Sequence, residues 1–509
     1  MPPTLPFEIW ACIASYLSNV ELKTLSSVNR ALCQISLNAW YKTLQVHQLS
    51  QYTVAKLQMM RDTASAVGRV QDLEVNISAF ETLARLTRFQ RLRNQFRRLF
   101  SLPGKYPAAL TTKSVTSVQK LLLDAIRNMH DLKAVCFDFT RAHDTRQYLS
   151  VHEVWSLLSG RVDTLSIYIC PDDAHLLPST FSSILGIKHL YIELRGFRVT
   201  EVRGLTELIN TASQSLETFA WKSNFCFIDF SSSIHRSFPI LHVFPKLKRA
   251  DLAVWNTTGS EVTTFLNAHG GSLEELNLEF SHPDGGPPVG VAALQLPSLR
   301  TLSIAWNWCK WGGPVTIPFQ RLWSGANFPM LSCLEINDPY MKMDHVAFFC
   351  DVFRESGGNR IRRLSFHCEA LNAETFDHLS EAFPNLHTLI VTVISLPKPR
   401  DKLWNIESFV AEMAHRQYNG WPLYDLEITP PDRLRYRKTT RFDDFTRPSY
   451  LAMQIVASRI PSVRSFFGSG HTDVPREAQW LPLPWCLVNG VVTRGRLHHQ
   501  VLMKINENG

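Results

Sequence analysis

The sequence predicts an α/β protein: a small helical unit at the N-terminus, then a long array of strand–helix repeats whose strands stack in parallel. Three observations predict it. A six-residue pattern, apolar–two residues–apolar–one residue–apolar, recurs twelve times from Leu132 onward and once earlier. Stretches with helical spacing of apolar residues stand between several of its copies. Residues 4–40 show a helical periodicity of their own before the first copy.

The composition supports a packed chain. Of 509 residues, 45% are hydrophobic and 19% charged, too apolar for a disordered protein. The length fits two to four ordinary domains, or one small domain and an array. A net charge of +8 is modest for this length and does not specify nucleic acid, which requires clustering on one face. The ten cysteines are scattered without a C-x-x-C pair, as expected of free thiols in a reducing compartment. No basic stretch followed by an apolar core opens the chain, and no apolar run approaches the ~20 residues of a membrane helix. The expected location is cytoplasmic or nuclear, without membrane attachment.

The N-terminal elements follow from local rules. Pro6 suits the first turn of a helix, where its missing N–H costs nothing. Ile9, Ile13 and Leu17 then fall on one helical stripe. Ser18 and Glu21 have the spacing of a capping box and predict a second helix, whose apolar face is Leu22, Leu25 and Val28. Leu32, Ile35 and Trp40 predict a third helix after Asn29. A unit of about 40 residues makes a poor core by itself, so its spare apolar surface must meet the rest of the chain or another protein.

These residues resemble an F-box. The resemblance covers roughly residues 4–44 and rests on Leu5-Pro6, Glu8-Ile9, Ile13, Tyr16-Leu17, Leu22, Leu25 and Val28. Trp10, where an aliphatic is usual, and Asn29-Arg30, where Cys-Arg is common, depart from the family pattern. The resemblance implies docking onto a Skp-type adaptor, which links the chain to a cullin scaffold. It makes Leu5, Pro6, Ile9, Ile13, Leu17, Leu22, Leu25 and Val28 the candidate adaptor-binding residues. A helical cap on the array is the competing role for the same segment.

The repeat pattern appears as LKAVCF at Leu132, VDTLSI at Val162, IKHLYI at Ile187 and LETFAW at Leu216. It continues through LKRADL, LEELNL, LRTLSI, LSCLEI, IRRLSF, LHTLIV and LYDLEI to a degraded VRSFFG at Val463. Successive copies start 25 to 40 residues apart, and VQDLEV at Val70 is an earlier copy. This resembles a leucine-rich-repeat array with irregular repeats. Each copy is expected to form a short strand that points its apolar residues into a shared core. Val262–His269, Phe376–Phe383 and Phe409–His415 read as helices between strands. Pro245, Pro297, Pro329 and Pro384 each close the preceding helix just before a strand.

Residues 46–130 read as a helical linker with first irregular repeats, residues 131–470 as the main array and residues 471–509 as a C-terminal cap or tail, after an F-box unit over 1–45. Within the linker, Leu83–Phe100 has helical spacing and an arginine-rich stripe, expected to be a solvated face and not a nucleic-acid contact. Leu121–Met129 reads as the helix leading into the strand at Leu132.

The sequence carries none of the motifs G-x-x-x-x-G-K-[ST], H-E-x-x-H or G-x-S-x-G, and no G-x-G-x-x-G after a strand. His498-His499 has no partner ligands at useful spacing. No enzyme activity, cofactor or metal is expected. On the expected concave face, residues between the core apolars point outward. Tyr168, Tyr191, Glu193, Trp255, Glu275 and Glu279 are candidates there for substrate binding, and so are Trp306 and Trp308 in the tryptophan-rich stretch Ile304–Trp323. The basic stretch Asp432–Arg447 reads as an inserted loop or a disordered one. Together the two resemblances imply a substrate-recognition subunit of a Skp–cullin–F-box ubiquitin ligase, similar to fungal F-box proteins. The alternative is a leucine-rich-repeat scaffold with no ubiquitin role.

Overall fold

The computed structural model describes residues 6–15, 17, 19–77, 79–80, 115–140, 151–170, 186–195, 203–223, 241–255, 260–281, 294–306, 328–397, 405–429, 443–466, 485–488 and 491–494. The chain divides into two units, Met1–Lys248 and Arg249–Gly509.

The first unit opens with three helices, α1 (Phe7–Ser15), α2 (Asn19–Leu25) and α3 (Arg30–Tyr41). The Asn29 side chain caps α3 by accepting from the Leu32 N–H at 2.8 Å. Ala14, Leu22 and Leu32 are buried among these helices. The buried Ser36 hydroxyl donates to the Leu22 carbonyl at 2.7 Å and ties α3 to α2. The repeats follow as β1 (Thr43–Val46), α4 (Gln51–Asp62), α5 (Ala64–Val67), β2 (Asp72–Asn76), α6 (Val115–Asn128) and β3 (Ala134–Asp138). Then come α7 (Val151–Leu158), β4 (Thr164–Ile169), β5 (His189–Leu194), α8 (Arg203–Ala212) and β6 (Thr218–Ser223). Strands β1 to β6 pair in chain order, all parallel.

The second unit begins β7 (Arg249–Trp255), α9 (Ser260–Ala268), β8 (Glu275–Ser281), β9 (Thr301–Trp306), β10 (Cys333–Met341) and α10 (Met343–Ser356). It continues with β11 (Arg363–Ala370), α11 (Ala373–Ala382), β12 (Thr388–Ser395), α12 (Ile406–Met413), β13 (Asp425–Thr429), α13 (Asp443–Arg459) and β14 (Ser465–Phe466). Strands β7 to β14 again pair in chain order and in parallel. A separate antiparallel pair, β15 (Trp485–Val488) and β16 (Val491–Arg494), closes the described chain.

Register explains the pattern. The leading apolar residue of every copy from Leu132 to Val463 is at most 4% exposed. The two strand apolars that follow sit side by side with those of the next strand, as in Leu364↔Leu389↔Leu426 and Phe366↔Val391↔Ile428. These residues are fully buried, and Phe376, Leu379 and Phe383 of the α11 region are buried with them. Pro245, Pro297, Pro329 and Pro384 all lie in turns just ahead of their strands, and Pro384 does so directly after α11.

The parallel ladder already begins at Thr43, within the stretch read as helical unit and linker. Strand β1 carries only Leu44 and Val46 as buried apolars, so it does not display the full pattern. The helix expected over 83–100 lies outside the described residues, as do His498-His499 and most of the basic stretch, 432–442. The remaining residues of that stretch, 443–447, open α13. Gly357 ends α10 with φ +106°, and a Cβ on Gly358 would collide with the Ala382 carbonyl oxygen. The close approach of α10 and α11 therefore requires glycine there.

The ladder makes each strand's core residues structural. Leu389→Ala should destabilise the chain by about 3 kcal/mol, with a cavity at the centre of the β11–β12–β13 ladder. Chemical denaturation followed by circular dichroism checks this. A loss under about 1 kcal/mol would show that Leu389 is not in a packed core.

Candidate functional sites on the helices and the open strand faces

The N-terminal helices are asymmetric. Helix α3 packs on α1 and α2 and also meets α5 and β1. The Arg69 guanidinium, from the loop before β2, donates to the Asn38 side-chain oxygen and the Gln34 carbonyl of α3. Helix α1 keeps apolar surface exposed: Ile9 is 46% and Ile13 42% accessible, one turn apart on the same stripe. Phe7 and Pro6 are exposed beside them, and Val28, just after α2, is 62% accessible. Leu17 and Leu25 are half-buried. Leu22 is 5% exposed and fills the interior of the unit. Leu5 lies outside the described residues. Single exposed apolars are ordinary, but several on one small unit form a patch that calls for a partner.

Alternation puts the second set of candidates on the strand face opposite the buried residues, the open face. In the first unit three of them meet. Tyr168 stands across from Glu193, and Tyr191 across from Ser166. The rings of Tyr168 and Tyr191 are 5.7 Å apart, edge to face. Glu193 is only 6% exposed and is held at both oxygens. The Tyr191 hydroxyl donates to Oε2 at 2.8 Å, and Arg195 Nε donates to Oε1 at 2.6 Å. The Arg195 guanidinium lies 4.1 Å above the Tyr168 ring.

The electrostatics match this geometry. The hydrogen bond that Arg195 donates to Glu193 holds its guanidinium above its ordinary value. Burial raises the Tyr168 phenol. Burial also pushes the neighbouring Cys136 thiol up to about 12, with the Glu74 charge adding to the effect. Arg195 was not a candidate because the open-face alternation of this copy was followed only as far as Glu193. Continuing the alternation two residues beyond Glu193 finds it.

In the second unit, Glu275 pairs with Arg249 at 3.2 Å and Glu335 with Arg363 at 3.6 Å. Asn277 donates to Asp251 across the β7–β8 ladder at 3.1 Å. Glu279 is half-buried two residues further along β8. Tyr340 and His367 stack with centroids 5.5 Å apart and planes at 26°. The next residue, Cys368, points inward and is fully buried, which settles the His367-Cys368 alternation. Trp255 ends β7 and Trp306 ends β9, and only their backbone is described. Trp308 and the rest of the tryptophan-rich stretch lie outside the described residues.

Among the described residues, no group of three or more His, Cys, Asp or Glu side chains is placed to hold a metal ion. No described helix is long and apolar enough to cross a membrane.

Each unit is thus a leucine-rich-repeat array of parallel strands backed by helices, the first with a three-helix unit at its start. No family model and no curated protein sequence matches the chain. Among solved structures, the leucine-rich repeat-containing protein LegL7 from Legionella pneumophila is similar over 69% of this chain and 90% of its own. Its identity is 11% and its TM-score 0.35. The Rad7 and Elc1 complex from yeast is similar over 94% of this chain and 90% of that chain, at 13% identity and a TM-score of 0.33. Likenesses at this level add nothing to what the chain's own repeats establish.

The buried thiols give a direct check on the strand orientations. Burial pushes Cys350 up to about 12 and Cys333 to about 11, and raises Cys368 further. A maleimide-type reagent at pH 8 should therefore modify exposed Cys12 quickly and leave Cys350 and Cys368 unmodified in the folded chain. Cys333 should react about a hundredfold more slowly than an ordinary thiol, and its rate should keep rising with pH until about 11. Peptide mass spectrometry reads the sites. Rapid modification of Cys368 would mean that β11 presents its other face.

Proposed function

We propose that the N-terminal helices dock a Skp-type adaptor and that the repeats hold a target protein. The chain would then be the substrate-recognition subunit of a Skp–cullin–F-box ubiquitin ligase. It supplies no catalytic residue. It raises the target's effective concentration near a ubiquitin-charged enzyme held by the same scaffold.

The observation that carries this reading is the exposure of Ile9 and Ile13 on α1 while α3 is fixed to the first repeat. A helical cap would bury that stripe against the array. An adaptor-docking unit must present it. The target-binding half of the reading draws on the open strand faces. There, half-buried tyrosines, a clamped guanidinium and paired charges offer aromatic and hydrogen-bonding contacts in fixed positions.

Immobilised Skp-type adaptor should capture the intact chain. An Ile9→Asp/Ile13→Asp variant should bind at least about a hundredfold more weakly, the effect of losing two central apolar anchors. Both positions are exposed, so the variant should melt at the temperature of the parent. An intact, folded chain that captures no adaptor would contradict the ubiquitin reading and leave a repeat scaffold.

A further inference from the structure

We propose that the open strand face of the second unit docks a basic polypeptide segment of the partner, with arginine preferred over lysine. The proposal deepens the reading of the strand faces as target-binding surfaces. It does not depend on adaptor docking.

The first observation is a segregation of charge. The chain as a whole carries +8. The open-face positions of β7 to β13 carry the reverse sign. Asp251, Glu275, Glu279, Glu335, Glu369, Asp425 and Glu427 supply seven carboxylates, and Arg249 and Arg363 the two guanidiniums. Among the described side chains at these positions, carboxylates thus outnumber guanidiniums by five on a net-positive protein. Arg249 and Arg363 each lie against a glutamate of the face, so their charge is engaged within it. Charges arrayed on one face sum into a field that steers a partner of opposite sign and repels one of the same sign. A basic segment is attracted to this face although the net charge of the chain has the same sign as the segment. An acidic segment or a nucleic acid meets the opposite field.

The second observation is how the Tyr340–His367 stack is made. The β10–β11 register shifts between Ile336 and Met341. Ile336 stands across from Phe366 and Met341 across from Cys368, so four residues of β10 oppose His367 alone. This bulge places Tyr340 over His367 on the open face. Glu335 lies on one side of the stack along β10. Glu369 lies on the other side along β11, two residues from His367 on the same face.

An aromatic face between carboxylates suits a guanidinium. It can lie flat on a ring while its fork of N–H groups reaches the acid. An ammonium is a point charge that uses the carboxylates but stacks poorly. Exposed Ile394 and half-buried Ile390, on the same face of β12, offer apolar surface to the methylene stem of such a residue. The bulged stack therefore distinguishes arginine from lysine, and the wider field holds the segment.

The test uses the full chain and fluorescein-labelled octa-arginine, octa-lysine and octa-glutamate, with binding read by anisotropy at low salt. Octa-arginine should bind more tightly than octa-lysine, and octa-glutamate should not bind. Glu279→Gln/Glu369→Gln/Glu427→Gln should weaken octa-arginine binding about tenfold. Glu355→Gln/Glu374→Gln/Glu407→Gln changes three exposed helix residues and alters net charge equally. It should change affinity by less than about twofold, because those charges lie away from the face. Tyr340→Ala should narrow the arginine-over-lysine preference.

Equal weakening by the two triple variants, or no binding of octa-arginine by the intact chain, would overturn the proposal. Face-specific weakening with equal affinity for both basic peptides would overturn the arginine preference. Thermal unfolding of each variant followed by circular dichroism, measured in parallel, reports an intact fold. Peptide binding by a chain that never captures adaptor would refute the ubiquitin reading and leave this inference standing.

Discussion

Three buried apolar side chains per repeat, held in register from strand to strand, are the constraint on which the rest of this structure depends. Each fully buried Leu or Ile contributes about 2 kcal/mol when it leaves water. It does so only if its neighbours in the adjoining strands occupy the same level. A slip of one residue would turn the whole apolar set toward solvent, so the register is strongly specified. Once Leu364, Leu389 and Leu426 stand side by side, every intervening residue is assigned to the open face. The positions of Tyr168 against Glu193, of Glu275 against Arg249 and of His367 beneath Tyr340 all follow from that assignment.

The same logic sets what was legible in the sequence. Period-two burial inside a recurring pattern made the strands from β3 to β14 readable, together with the earlier copy that forms β2. The helices at Phe376 and Phe409 were readable from their spacing and now stand as α11 and α12. Strand β1 was not readable, because Leu44 and Val46 alone are too short a signal. The bulge in β10 was hidden as well. The pattern at Leu331 ends before Asn337, and nothing in Asn337–Tyr340 announces that four residues will oppose one. Arg195 was missed because the open-face alternation was followed only as far as Glu193, although its interaction with Glu193 completes the cluster. The division into two units at Lys248 has no sequence signal comparable to the repeat itself.

On the helical unit, sequence and structure address different questions. Periodicity predicted three helices and an apolar stripe, and α1 to α3 are there with the Asn29 cap in place. Periodicity could not say which apolar residues would serve the interior. Leu22 does, and Ile9, Ile13 and Val28 do not. The Ser36–Leu22 hydrogen bond and the Arg69 contacts fix α3 to its neighbours, while Ile9 and Ile13 of α1 stay accessible. A chain that exposes apolar residues on a rigidly mounted helix carries a solubility cost unless a partner covers them. The proposed function supplies that partner.

The most direct measurement is hydrogen–deuterium exchange on the intact chain with and without saturating Skp-type adaptor. The account predicts added protection confined to peptides spanning residues 7–28, with exchange across β3 to β6 and β7 to β13 unchanged. Protection on the strand peptides with residues 7–28 unaltered, or no protection anywhere, would contradict it.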